Sequence, residues 1–173
     1  MSTVYLVTGA NRGIGFGLVK LLAGRPDAFV YAAVRNPTKS AELVDLANSF
    51  KNIRVLKADV VDEKELKAAA QIIANESGHI DVIFANAGIS EGFNKVAAAP
   101  LETYRKNFDV NTLGTVATFL ATYKLLEKTK RPEGGVFFAV STKLGSIGDG
   151  IPFIDAATYG ASKAALNYIV KRI

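Results

Sequence analysis

The sequence predicts an α/β fold built on a doubly wound parallel sheet with strand order 3-2-1-4-5. Three observations lead there. Compact β-branched runs alternate with amphipathic stretches along the whole 173-residue chain. The run "IDVIFANAG" is apolar enough to be buried on both faces, as a strand inside a parallel sheet is. The first strand passes into a helix through a glycine-rich turn, "TGANRGIG". Crossover helices return the chain to the same end of the sheet, so the strands pair in parallel, and right-handed crossovers lead to the stated order. Ligands in such sheets bind beyond the carboxyl ends of the strands, at the switch between strands 1 and 4.

The elements follow in order. "TVYLVT" is the first strand, and "GIGFGLVKLLAG" is a helix with apolar residues at Ile14, Leu18, Leu21 and Leu22. "AFVYAAV" is the second strand, "SAELVDLANSF" a helix after Pro37, and "NIRVLKADV" the third strand. "DEKELKAAAQIIANES" carries acids in its first turn, which suits a helix dipole, and stops at Gly78. "IDVIFANAG" is the fourth strand, and residues 101–128 read as one long helix. "GGVFFAVST" is the fifth strand and "AATYGASKAALNYIVKRI" the last helix. No repeat, linker or low-complexity tract interrupts residues 1–173, which read as one domain.

Composition narrows the function. With 49% hydrophobic and 21% charged residues, the chain has enough apolar material for one real core. It has no run of about 18 apolar residues and no secretory segment at its start, so no membrane association and a cytoplasmic location are expected. Zero cysteines and a single histidine argue against a metal centre, and His79, beside Gly78, reads as a loop residue. The net charge is +5, but lysines and arginines are spread along the chain without interleaved aromatics, so nucleic acid is not the expected partner.

An anionic cofactor is a better use of that charge. In the GxxxGxG turn, Gly9 permits a sharp bend, while Gly13 and Gly15 let backbone approach a pyrophosphate and the neighbouring strand. The helix behind it offers free N–H groups and positive potential. A tight structural turn is the alternative reading of the same glycines. The second strand ends "AAVRNP" without the carboxylate that would hold the ribose hydroxyls of NAD. Arg35, with Arg12 in the turn, could instead clamp a 2'-phosphate, so NADP(H) is expected over NAD(H).

Taken in order, the glycine turn, "ADV" at 58–60, "NAG" at 86–88, Asn111, Ser141 and the Tyr159/Lys163 pair resemble the short-chain dehydrogenase/reductase family. The resemblance spans essentially the whole chain, and implies a Rossmann-like fold. "VTGANRGIG", "AAVRNP" and "YGASKAALN" resemble its norsolorinic acid ketoreductase and carbonyl-reductase-like subgroup. It implies that Gly9, Asn11, Arg12, Gly13, Ile14, Gly15 and Arg35 belong to the cofactor site. Asp59 and Val60, ending the third strand, would contact adenine, and Asn86, Ala87 and Gly88 would shape the turn beneath the cofactor. Asn111 would hold a water linking the site to solvent, and Ser141, Tyr159 and Lys163 would complete the catalytic set. Ala85 stands where many relatives have a second asparagine.

The implied chemistry is hydride transfer between NADP(H) and a small-molecule carbonyl or secondary alcohol. The nicotinamide supplies only the hydride, so a proton donor must sit at the substrate oxygen. Tyr159 has that role if a nearby cation lowers its pKa, and Lys163, one helical turn on, lies on the same face. Ser141 would stabilise charge on the oxygen, with Thr142 as its competitor and Ser146 behind both. The glycine-rich segment 143–155, with Ile151 and Phe153, is expected to line a substrate pocket. Family members are longer, so the chain is expected to be C-terminally incomplete, stopping after the Tyr159 helix and leaving the fifth strand as a sheet edge. Weak cofactor binding and little turnover are expected of this length alone. A non-catalytic NADP(H)-binding protein remains the alternative, and a scaffold role is the bland one. A nucleotide-sugar epimerase fits poorly because "GANRGIG" lacks the GxxGxxG spacing. Helix pairing between copies in the family makes a homo-oligomer a further expectation.

Overall fold

The computed structural model describes residues 2–149, 151 and 153–173. Gly150 and Pro152, inside the segment expected to line a substrate pocket, lie outside the described residues. Five strands form one parallel sheet in the order β3-β2-β1-β4-β5: β1 Thr3–Thr8, β2 Ala28–Val34, β3 Ile53–Lys57, β4 Val82–Ala85 and β5 Val136–Ala139. The helices are α1 Gly13–Ala23, α2 Ala41–Ser49, α3 Glu63–Glu76, α4 Leu101–Phe108, α5 Gly114–Leu126 and α6 Ala157–Val170. Among the described residues no helix is long and apolar enough to cross a membrane.

Both faces of the sheet's centre are covered, which is why β2, β1 and β4 are largely apolar, whereas β3 carries exposed Arg54 and Lys57 and Phe138 of β5 is half exposed. On one side Leu66 and Ile73 of α3 and Leu125 of α5 pack over Leu6, Tyr31 and Ile83. On the other, Val19 and Leu22 of α1 and Leu43 of α2 pack over Val7, Val30 and Val34. Each such side chain, fully buried, contributes about 1.5–3 kcal/mol of transfer free energy. The buried stripe of α1 is Gly15, Val19, Leu22 and Ala23, whereas Ile14 and Leu21 are exposed. The expected stripe therefore turns by one residue, because Gly15 packs directly against Gly9. The third strand ends at Lys57, earlier than expected, and Asp59 and Val60 occupy the turn beyond it.

The helix expected over 101–128 runs to Leu126 and carries one irregular turn. Residues Asp109–Leu113 form one π-helical turn between α4 and α5. Such a turn inserts an extra residue into the helical ladder. The buried side of α5 is rich in threonine, and each hydroxyl is satisfied locally. Thr115, Thr118 and Thr122 donate to the carbonyls of Asn111, Gly114 and Thr118, four residues back, at 2.6–3.0 Å.

At the amino ends of the strands, Asp81 ties three elements together. One carboxylate oxygen accepts from the Val4 N–H of β1 at 2.8 Å, and the other from the Thr129 hydroxyl at 2.6 Å and the Lys130 N–H at 3.0 Å. His79 is buried beside it rather than lying on an open loop, with Nδ1 2.8 Å from the Ser77 carbonyl and Nε2 3.3 Å from the Asp81 carboxylate. Burial pushes the Asp81 carboxyl up, but the hydrogen bonds from Thr129, Val4 and Lys130 and the neighbouring His79 outweigh it, leaving the pKa below its ordinary value. A depressed carboxylate stabilises the fold above its unfolded pKa, and that stabilisation is lost as pH falls through the lower folded value. Asp81→Asn should destabilise the chain by about 2–4 kcal/mol at neutral pH and flatten the acid limb of its stability profile. Denaturant titrations of both proteins between neutral and acid pH measure this, and equal stability at neutral pH would remove Asp81 as the tie.

Candidate active site

The site lies where the strand order reverses. Thr8, ending β1, accepts the Asn86 and Ala87 N–H groups on its hydroxyl, each at 3.1 Å. Asn86 returns its Nδ2 to the carbonyls of Thr8 at 3.0 Å and Gly9 at 3.2 Å. The turns after β1 and β4 are thus bolted together at the switch point. The three glycines divide their work. A methyl on Gly9 would come within 2.8 Å of Ala87 Cα, and one on Gly15 would overlap the Gly9 carbonyl and the Asn86 amide. Gly13 has φ +57° with open space around it, so its backbone is bare toward solvent.

The start of α1 is uncapped. Arg12 at its N-cap makes no side-chain cap, and no acid lies in the first turn. By contrast, α3 is capped by Asp62, which accepts from Lys64 N at 2.9 Å and Glu65 N at 3.1 Å. The first amides of α1 have no partner within the helix, and with the dipole they form an anion site. That site opens into a cleft of about 670 Å³. Every residue expected to hold the cofactor lines this cleft except Gly15, which sits beneath its floor. Lining residues that the sequence did not single out include Asn36, Lys39 and Ser40 beyond β2, and Ile89, Ser90 and Val140. Lys39 follows Arg35 by one short turn, and this clustering was visible in "RNPTK". The β2 end of the cleft therefore presents Arg12, Arg35 and Lys39, with Asp59 as its carboxylate. An uncapped helix start, bare backbone at Gly13 and the cleft's size together fit a dinucleotide diphosphate.

At the other end stand Tyr159 and Lys163 of α6. Lys163 is 4% exposed, and its Nζ donates to the Val140 carbonyl at 2.7 Å. Burial lowers the Lys163 pKa and raises that of Tyr159. In the protein alone burial thus outweighs the lowering expected from the neighbouring ammonium, to which an oxidised nicotinamide would add. The protein supplies an apolar surround, and the ammonium is aimed at a backbone carbonyl.

Asn111 sits in the π turn, fully buried and outside the cleft lining. Its Oδ1 accepts from Ile89 N at 2.8 Å, and its Nδ2 donates to Ile89 O at 2.9 Å and Ser162 Oγ at 3.0 Å. The described bonds of this side chain run to the backbone after β4 and to α6. Ser141 departs further from expectation. It lies outside the cleft lining, two residues past β5, and its hydroxyl donates to Asn167 Oδ1 at 2.5 Å. Thr142, in extended backbone and likewise outside the cleft lining, accepts Leu144 N at 3.3 Å, and among the described residues its own O–H has no acceptor. The segment expected to form a substrate pocket also moves. Leu144, Ser146, Ile147, Ile151 and Ile154 line a separate groove with Val96 and the Gly160/Ala164 face of α6, while Tyr159 faces the first cleft.

A cleft at the switch point of a doubly wound sheet, lined by a buried lysine and a tyrosine four residues before it, is the class of site that the fold presents. Residues 3–173 match the short chain dehydrogenase family, and the chain belongs to it. An uncharacterized oxidoreductase of Schizosaccharomyces pombe is 35% identical over 98% of this chain and 66% of its own length. Norsolorinic acid ketoreductase stcE of Emericella nidulans is 32% identical over 99% of this chain and 66% of its own length. The NADPH-bound carbonyl reductase from chicken fatty liver superimposes with a TM-score of 0.91 at 28% identity, covering 99% of this chain and 73% of that one. The expected kinship with ketoreductases and carbonyl reductases is therefore found, and the chain spans about 66% of the length of its first curated relatives.

The buried lysine carries a test. A lysine whose folded pKa is lowered binds fewer protons than in the unfolded chain, so stability rises with pH between the lowered value and the ordinary one. Lys163→Met should raise stability near neutral pH by roughly 1 kcal/mol or more and abolish that rise. Thermal unfolding across neutral and alkaline pH measures it, and a less stable variant would show that the ammonium is well compensated.

Proposed function

We propose that the protein is an NADP(H)-dependent reductase of ketones, acting on a small-molecule carbonyl, with Tyr159 as the proton donor. The observation that carries this reading is the placement of Tyr159 and buried Lys163 at one end of a cleft whose other end is an uncapped helix start flanked by Arg12, Arg35 and Lys39. The bound dinucleotide supplies a hydride to the carbonyl carbon. Tyr159 Oη gives its proton to the carbonyl oxygen as the alcohol forms, leaving a phenolate. Lys163 stabilises that phenolate, and its burial weakens its hold on its own proton, which suits it to return one. Thr142 donates its free hydroxyl proton to the substrate oxygen, because the Ser141 hydroxyl is committed to Asn167. The arginines favour a 2'-phosphate, since no acid stands at the end of β2 to repel it.

Tyr159→Phe should lower turnover by at least about 100-fold with NADPH affinity unchanged. Thr142→Ala should cost more turnover than Ser141→Ala. NADPH oxidation over a panel of ketones, quinones and aldehydes measures both, together with nucleotide fluorescence. NADPH binding without oxidation of any panel member would favour the non-catalytic reading. For the cofactor, Arg35→Ser should weaken NADPH binding by about 10- to 100-fold and leave NADH binding nearly as it was. Titrating both nucleotides checks this, and wild-type protein that prefers NADH would overturn the assignment.

A further inference from the structure

We propose that Asn167 is a positioning residue that fixes the Thr142 hydroxyl against Tyr159 and Lys163. This rests on the reductase reading above. Asn167 follows Tyr159 by eight residues and Lys163 by four, so the three share one face of α6. Its amide grips the chain on both sides of Thr142. Oδ1 accepts the Ser141 hydroxyl at 2.5 Å, and Nδ2 donates to the Gly145 carbonyl at 3.2 Å.

Other contacts make that grip determine geometry. The turn Lys143–Gly145 is wedged on α6: a methyl on Gly145 would meet Lys163 at 2.9 Å, and one on Gly160 would meet the Leu144 carbonyl at 2.7 Å. Lys163 Nζ holds the Val140 carbonyl, just before the gripped segment. From Val140 to Gly145 the chain is therefore pinned to α6 at three points, and the described bonds of Thr142 itself run only within the turn, to Leu144 and Gly145. Among the described residues the Thr142 O–H has no acceptor, and its place beside α6 is set by its neighbours' bonds. The Ser141 hydroxyl, in this account, anchors the strand end and does not touch substrate.

The arrangement separates turnover from binding and from stability. Asn167 is exposed and lies outside the dinucleotide cleft, so its loss removes two surface hydrogen bonds and leaves both cores and the glycine turn in place. Asn167→Ala should lower kcat by about 10- to 100-fold, the cost of a misplaced reacting group, with NADPH affinity and melting temperature close to wild type. Asn167→Asp keeps an acceptor for Ser141 and loses the donor to Gly145, so it should fall between Ala and wild type. Ser141→Ala added to Asn167→Ala should cost nothing more. Amide exchange at residues 144–146 should quicken in Asn167→Ala whether or not substrate is present.

The experiment is steady-state ketone reduction at saturating NADPH, on the longest available form of the chain, for these three variants and wild type. Nucleotide fluorescence, thermal unfolding and amide exchange accompany it. A kcat within twofold of wild type in Asn167→Ala overturns the inference and leaves the reductase reading intact. Parallel losses of NADPH affinity and melting temperature also overturn it, since they mark a general structural role, as does unchanged exchange at residues 144–146. Wild-type protein that binds NADPH but reduces no ketone overturns the reductase reading, and this inference falls with it.

Discussion

The site depends on a polar seam buried between the π-interrupted helix α4–α5 and α6. Asn107, Asn111, Thr112, Thr158 and Ser162 are all essentially inaccessible. Asn111 binds both the N–H and the carbonyl of Ile89 and reaches Ser162, while Ser162 donates to the Tyr159 carbonyl at 2.7 Å. Thr112 donates to the Ser162 carbonyl at 2.8 Å, and Asn107 and Thr158 both hold the Glu91 carbonyl at 3.2 Å. Buried amides and hydroxyls are costly when unpaired, so this seam has few alternative registers. Sliding α6 by one residue would orphan several groups at once. The loop after β4, the π turn and the first turn of α6 are thereby locked into one body, and Tyr159 takes its position from that body.

A second constraint acts at the switch point. Thr8 and Asn86 join the turns after β1 and β4, and Gly9 and Gly15 let those turns approach at backbone contact. Gly114, at the start of α5, plays a similar part beyond β3, since a methyl there would come within 2.7 Å of Val60. The cleft is the space left between these tight joints.

Electrostatically the two ends of the cleft are unlike. The β2 end carries exposed guanidinium and ammonium groups whose ordinary charge attracts an anion at low cost. At the β5 end a lysine is buried against a carbonyl, where its charge is expensive. Stability alone would not place a lysine there. Such a conflict between folding and charge is what a site looks like when a group is kept for chemistry.

The sequence by itself determined the sheet order, the place of the glycine turn and the residues that share the cleft. Those follow from local signals: hydrophobic period, turn glycines and the one-turn spacing of Tyr159 and Lys163. Only the tertiary structure decided that a π turn interrupts residues 101–128 at Asn111, that Asn111 binds backbone, that Ser141 turns to Asn167, and that burial raises the Tyr159 pKa. Each of these depends on partners 22 to 51 residues away or on exclusion of water around a group. A hydroxyl or amide in the sequence announces that it will find a partner, but its choice among many is made by packing, which brings distant backbone groups within 3 Å and leaves the rest out of reach.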